Sequence, residues 1–214
     1  MNKQQMQVKE EIVKHKLTIY VFLQKFYAGH LNHVTNETWK GLIELISHEI
    51  NFFSNEKIKK GSQLLSHLTD EDLAELEFDF NRLFVGPTRL QASPYESTYR
   101  NIDRALMQVE TLAVRRFYEK AGLIVSNKNV DPDDHLALEL EFVCYLLENS
   151  IENEMYDQLY QAFVQEHLFQ WIEKHAGLVR EHTENSILIA VSYLLEGLLM
   201  EEKANMIYEG GNLL

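Results

Sequence analysis

Apolar residues recur at intervals of three and four along most of the chain, whereas the strict alternation of a half-buried strand is hard to find. From Lys9 to about Tyr27 these residues form one stripe, which predicts an amphipathic first helix. The same spacing predicts further helices that begin near residues 36, 56, 69, 104, 131, 152 and 183. The pattern therefore predicts an all-α protein, a single helical-bundle domain of about eight helices over residues 1–214.

Local signals predict several helix ends. Thr69 opens the sequence TDED, which is typical of an N-cap followed by acidic residues in the first turn. Gly86 and Pro87 end that helix, and Gly122 suits the glycine position just after a later one. The polar segment 86–101 is predicted to be a loop. A weak change of composition near residues 122–131 indicates a division into two helical lobes.

The composition favours a protein of a reducing compartment. Cys144 is the one cysteine, so an intrachain disulfide is excluded, and its apolar surroundings predict a buried, inert thiol. The polar N-terminus lacks the apolar core of a secretory signal, so we predict that it is not one. The longest apolar run, Ser186–Met200, is interrupted by polar residues and is predicted to be a buried core helix.

The net charge of −13 is unevenly distributed. Residues 1–130 carry 17 Lys and Arg against 16 Asp and Glu, whereas residues 131–214 carry 3 against 17. An acidic half argues against nucleic acid and anionic lipid as its partners and favours a cationic one, although a merely soluble acidic surface explains the same asymmetry.

The acidic segment DPDDH has a structural explanation. Asp131 suits the N-cap of the next helix and Pro132 its first position, which would place Asp133 and Asp134 in the first turn. There each carboxylate gains about 0.3–1 kcal/mol from the helix dipole. Helix capping alone therefore accounts for most of this acidity.

His135, the last residue of this segment, and Glu139 allow a second interpretation. His135 and Glu139 are four positions apart and should meet on one flank of the helix. Glu139 lies beside an apolar stripe, so its carboxylate needs a partner, either His135 or an arginine from the N-terminal part. These residues form either a buried structural ion pair or a carboxylate–imidazole cluster at the edge of a groove.

No standard catalytic or metal-binding motif is present. The chain contains no glycine-rich phosphate loop, nucleophile elbow or CxxC motif. The histidines lack the paired spacing of HExxH, so we predict no dedicated metal site and no cofactor.

Three segments together resemble the TorD/DmsD/NarJ-type chaperones of molybdenum enzymes. They are FNRLFVGP at residues 80–87, SPYESTY at 93–99 and DPDDHLALELEFVCYLL at 131–147. The segment FVQEHLFQWIEKHA at 163–176 resembles the family's downstream helix, and the sequence YES is closest to the TorD-like branch.

This resemblance implies a non-enzymatic, all-helical, cytoplasmic protein. It would bind the twin-arginine signal peptide and the apo-form of a molybdopterin-dependent oxidoreductase, aid cofactor insertion and delay export. The resemblance also implies a peptide groove, and the positions that match it are Phe80, Leu83, Phe84, Pro94, Tyr95, Tyr99, Asp134 and His135. Glu96 stands in that groove where other branches have glycine.

The chemistry of these residues suits such a peptide. Guanidinium groups favour carboxylates, which Asp134, Glu139 and Glu96 offer, and an apolar stretch favours aromatic walls. Two alternatives remain. One is a nucleotide-handling or hydrolytic enzyme that uses Asp134, His135 and Glu139 for acid–base work. The other is a self-associating structural subunit, and helical lobes joined by a loop can also exchange to form a homodimer.

Overall fold

The computed structural model describes residues 3–87, 89–124 and 132–211. Within these ranges the chain is helical and contains no strand, which confirms the predicted all-α fold. Its α-helices are α1 (Lys3–Tyr27), α2 (Asn36–Glu49), α3 (Glu56–Leu65), α4 (Asp70–Phe80), α5 (Ser97–Arg100), α6 (Val109–Lys120), α7 (Leu136–Ser150), α8 (Glu154–Phe163), α9 (Phe169–His182) and α10 (Ser186–Gly211). A 3₁₀ turn follows α2 at Ile50–Phe52, and π-helical turns occupy Asn81–Val85 and Val164–Leu168.

The chain divides into two compact units. The first consists of Met1–Ala28 and Pro94–Trp171, and the second of Gly29–Ser93 and Ile172–Leu214. The lobe boundary expected near residues 122–131 lies within the sequence of the first unit and partly outside the described residues.

Helix α7 is the centre of the first unit and packs against α1 and α8. Leu136, Leu140 and Val143 are fully buried on one side of α7, and Phe142 on another side is 3% exposed. The two-sided apolar pattern of α7 therefore corresponds to a helix that is covered on more than one face.

Helices α3 and α10 form the main packing contact of the second unit. They approach closely at two glycines: a Cβ on Gly61 would lie 2.8 Å from Ala190 O, and one on Gly197 would lie 2.7 Å from Ile58 N. The apolar run of α10 is buried, as the sequence predicts. Among the described residues, no helix has both the length and the apolar character required to cross a membrane.

Several predicted helix ends are confirmed. The Thr69 side chain accepts a hydrogen bond from Asp72 N while Asp72 accepts one from Thr69 N, which forms a capping box. Gly86 and Gly122 follow helical segments with φ of 112° and 79°, a backbone region that glycine adopts readily.

Other helix ends differ from prediction. Helix α6 begins at Val109 and not near residue 104, because Arg104 and Met107 have left-handed backbone conformations that interrupt a helix. The predicted loop 86–101 contains the short helix α5. Helix α7 begins at Leu136, with His135 as its N-cap, so Asp133 and Asp134 precede the helix. The predicted cap Asp131 lies outside the described residues.

Candidate functional site

Two of the segments that carry the family resemblance meet in the first unit through a short antiparallel pairing. Leu136 N donates a hydrogen bond to Pro94 O at 2.8 Å, and Glu96 N donates one to Asp134 O at 3.1 Å. Between these bonds Tyr95 and His135 face each other as an isolated β-bridge. The pairing therefore fixes SPYES against DPDDH, two segments that lie far apart in sequence.

The buried carboxylate of Asp134 stabilises the pairing of these two segments. It is fully buried, and its two oxygens accept hydrogen bonds from Ser97 N at 2.8 Å and Thr111 Oγ1 at 2.6 Å. Asp133 is also fully buried and forms an ion pair with Arg115. We expected Asp134 to present its charge to a peptide groove, but both of its carboxylate oxygens are engaged in the interior.

Glu96 is engaged in the same way. Its carboxylate, with no exposed surface, accepts a hydrogen bond from His167 Nδ1 at 2.7 Å and pairs with the Arg100 guanidinium. The Arg100 guanidinium is about one third exposed and also donates to Glu166 O. Arg100 therefore links the buried Glu96 to the surface of the first unit.

Glu139 has a different partner from those expected. Its Oε2 accepts a hydrogen bond from Trp171 Nε1 at 3.3 Å, in place of a bond from His135 or an arginine. Burial is the main reason that the pKa of Glu139 lies well above its usual range, and the charges of Glu96 and Asp134 raise the pKa further. A protonated Glu139 can donate a hydrogen bond to Glu96, whereas two adjacent carboxylates would repel each other in a low-dielectric interior.

Glu96, Glu139 and His167 together have the chemistry of metal ligands. One candidate ligand atom from each lies within 4.8 Å of the others, and all three residues are buried. Spacing along the chain does not reveal this group, because its members come from three distant segments. The Glu96 carboxylate pairs with Arg100 and accepts a hydrogen bond from His167, so it already has partners within the protein.

The accessible part of this region is aromatic. His135 Nδ1 accepts the capping hydrogen bond from Ala137 N, and the imidazole packs edge-on against the Tyr95 ring at 4.9 Å. Tyr99 lies against Trp171 at a ring distance of 5.1 Å. Tyr95, Tyr99 and His135 are each half-buried, whereas Pro94 is buried.

The first motif belongs to the second unit. Phe80, Leu83 and Phe84 are 4%, 0% and 4% exposed, and the rings of Phe80 and Phe84 meet edge-to-face at 5.0 Å. Phe84 also contacts His175, whose Nδ1 donates to Ser93 O. These three residues therefore contribute to the core of that unit, and their role in a peptide groove stays a prediction.

The geometry does not favour acid–base catalysis by Asp134, His135 and Glu139. Two of the three side chains have no exposed surface, and His135 Nδ1 is occupied by the helix cap. A general acid or base must come within hydrogen-bonding reach of a substrate proton, which burial prevents here.

His167 and Trp171 are residues whose roles the sequence analysis did not assign. Both lie in the segment FVQEHLFQW, so the resemblance of that segment was a usable signal. Their partners Glu96 and Glu139 could not be identified from spacing, since 71 residues separate His167 from Glu96 and 32 separate Trp171 from Glu139.

The chain matches a family model and resembles known proteins. The family model described as the nitrate reductase delta subunit matches residues 54–176, more than half of the chain. A solved structure from Archaeoglobus fulgidus covers 82% of this chain and 91% of its own, at 17% identity and a TM-score of 0.49.

The chain is also similar to curated proteins named "Chaperone protein TorD". The relative from Vibrio parahaemolyticus is 28% identical over 83% of this chain and 87% of its own length. The relative from Shewanella pealeana is 27% identical over 77% of each chain. The chain therefore belongs to the nitrate reductase delta subunit family, the family of TorD/DmsD/NarJ-type chaperones that assemble molybdenum enzymes.

Proposed function

We propose that this molybdoenzyme assembly chaperone acts in the cytoplasm, where it binds the twin-arginine signal peptide and the apo-form of a molybdopterin-dependent oxidoreductase. Retention of the signal peptide would delay export until the cofactor is inserted.

The observation that carries the proposal is the pairing of Tyr95 with His135. Hydrogen bonds on either side of the pair fix both side chains at the surface of the first unit, with the rings 4.9 Å apart. Half-buried aromatic groups on a fixed backbone lose little conformational entropy on binding and suit the apolar part of a peptide. Tyr99, packed against Trp171, extends the aromatic character of this part of the unit.

The buried acids have a supporting role in this proposal. Asp134 accepts hydrogen bonds from Ser97 and Thr111, and Glu96 contacts Arg100 and His167. Both carboxylates therefore stabilise the backbone segments that carry Tyr95, Tyr99 and His135. The guanidinium groups of a signal peptide would then meet acidic groups at the surface. The acidic character of residues 132–171, with nine Asp and Glu and no Lys or Arg, would attract a basic peptide.

Calorimetry with matched synthetic peptides tests the proposal. One peptide carries two adjacent arginines followed by an apolar Leu/Ala stretch, and the other has glutamines in place of the arginines. We expect the arginine peptide to bind at least about tenfold more tightly, which corresponds to about 1.4 kcal/mol. Equal affinity for the two peptides would contradict the proposal.

A substitution at the aromatic pair tests the location. His135→Asn retains a side-chain acceptor for the α7 N-cap, because asparagine is a favourable capping residue, but removes the ring against Tyr95. We expect weaker binding of the arginine peptide with nearly unchanged stability. As a control, Asn153→Asp at the N-cap of α8 retains a cap acceptor at a position remote in sequence and should leave binding unchanged.

A further inference from the structure

A second feature of the first unit is an open cavity of about 360 Å³ beside α7. Its lining includes Leu123, Ile124, Leu138, Phe142 and Tyr145. Ile124 is 83% exposed, so one edge of this apolar cavity is open to solvent. The volume falls in the range of about 300–1,000 Å³ that is typical of ligand pockets.

The cavity lies on an exposed stripe of α7 that carries two carboxylates. Leu138, Glu141, Tyr145 and Glu148 follow each other at helical spacing, so they share one face. Glu141 also lines the cavity, and Glu148 lies about 10 Å farther along the helix, given a rise of about 1.5 Å per residue. Within the part of the chain that the structure describes, neither carboxylate forms an ion pair.

The surroundings of this stripe are electrostatically negative. Burial is the main cause that raises the pKa of Cys144 to about 12, and the charges of Glu148 and Glu141 raise it further. Two cations of α6 have other contacts: Arg115 pairs with Asp133, and Lys120 lies over the Phe117 ring at 4.5 Å. Since Glu141 and Glu148 form no ion pair among the described residues, a cationic guest would find uncompensated carboxylates here.

Aromatic groups continue the surface next to the cavity. Tyr145 meets Tyr156 of α8 edge-to-face at 5.7 Å, with their hydroxyl groups 3.5 Å apart. An apolar cavity, two half-buried tyrosines and two exposed carboxylates two helical turns apart are complementary to a segment that combines basic and apolar side chains. Charge complementarity distinguishes this guest from a purely apolar or an anionic one.

We infer that the cavity and the stripe Leu138–Glu141–Tyr145–Glu148 form a subsite for the basic and apolar segment of the client's signal peptide. An apolar side chain of the peptide occupies the cavity, and its arginines pair with Glu141 and Glu148. This inference rests on the proposed function and adds a contact surface separate from the Tyr95–His135 pair.

Calorimetry on the full chain tests the subsite with the same arginine peptide. The double substitution Glu141→Gln and Glu148→Gln retains size and removes charge at exposed positions, so folding should be preserved. We expect at least about a tenfold loss of affinity. The matched control is Glu152→Gln with Glu154→Gln, which removes the same charge from exposed positions at the start of α8 and should change affinity less than about twofold.

A photo-crosslinking residue in place of exposed Ile124 provides an independent readout. We expect it to crosslink to the arginine peptide. Crosslinks confined to the chain itself, or wild-type affinity in the Glu141/Glu148 variant, would overturn the subsite. If the subsite is overturned in this way but the His135→Asn variant still binds the arginine peptide more weakly than wild type, the proposed function stands without the subsite. Absence of peptide binding to the wild-type chain would instead overturn both.

Discussion

His167 Nδ1 lies 2.7 Å from Glu96 Oε2 in the interior of the first unit, where the two side chains are 2% and 0% exposed. The bond joins segments that are 71 residues apart. The imidazole also stacks on Phe163 at 5.0 Å and meets Phe117 edge-on at 5.3 Å. Glu96 is thus held in the core by a buried hydrogen-bond donor.

Removal of the imidazole nitrogen of His167 should lower the stability of the fold, because Glu96 then loses a hydrogen-bond donor. His167→Phe retains an aromatic ring for Phe163 but leaves one Glu96 oxygen without its donor. We expect the free energy of unfolding, measured by urea denaturation, to fall by about 1–3 kcal/mol, the cost of a buried acceptor that loses its donor.

A double-substitution cycle provides the control for this prediction. In Glu96→Gln combined with His167→Phe, the charge is removed together with its donor, so the combined loss should be smaller than the sum of the single losses. Additive losses would show that the two side chains are not coupled.

Glu139 should make stability depend on pH. Its pKa is raised above the ordinary value of 4.5 in the folded state, so the folded chain retains a proton that the unfolded chain has lost. The contribution of Glu139 to stability is therefore fully present below about pH 4.5 and is lost as the pH rises toward the folded-state pKa.

Substitution by glutamine tests that sign. Glu139→Gln still accepts from Trp171 Nε1 and can donate toward Glu96, but it has no proton to lose. We expect the stability of the variant relative to wild type to increase between pH 5 and pH 8 in urea denaturation. Exposed Glu152→Gln serves as the control, and parallel profiles for Glu139→Gln and wild type would contradict the assignment.

Asp134 should contribute mainly to stability. Asp134→Ala leaves Ser97 N and Thr111 Oγ1 without their acceptor in a buried region. We expect a loss of about 3 kcal/mol in the free energy of unfolding, and about 1–2 kcal/mol for Thr111→Val, which removes one of the two bonds. Exposed Asp103→Asn should change stability by less than about 0.5 kcal/mol. A wild-type stability for Asp134→Ala would contradict the structural role.

The contact between α3 and α10 should not tolerate a methyl group. In Gly197→Ala the new Cβ would lie 2.7 Å from the Ile58 backbone nitrogen, so a helix must shift. We expect a loss of about 1–3 kcal/mol, observed as a lower thermal midpoint. Gly177→Ala in α9 is the matched control: its Cβ meets nothing within 4 Å, and alanine should add about 0.5–1 kcal/mol of helix stability.

Features that depend on neighbouring residues could be predicted from the amino-acid sequence. Helical spacing fixed the fold class, because the apolar stripe of a helix is a local pattern. The Thr69 capping box and the glycines after Val85 and Ala121 were predictable for the same reason. The ordered motifs also identified the family, because they preserve residue types at fixed spacings.

The tertiary structure decided where each acidic side chain lies. The local pattern predicts Asp134 in the first turn of a helix. Its hydrogen-bond partners Ser97 and Thr111 are instead 37 and 23 residues away in sequence. Asp134 binds them from a position before α7, which begins at Leu136. Glu139 likewise pairs with Trp171 and not with nearby His135. Spacing along one helix cannot reveal such partners, because burial makes a carboxylate bind whichever donor the fold brings to it.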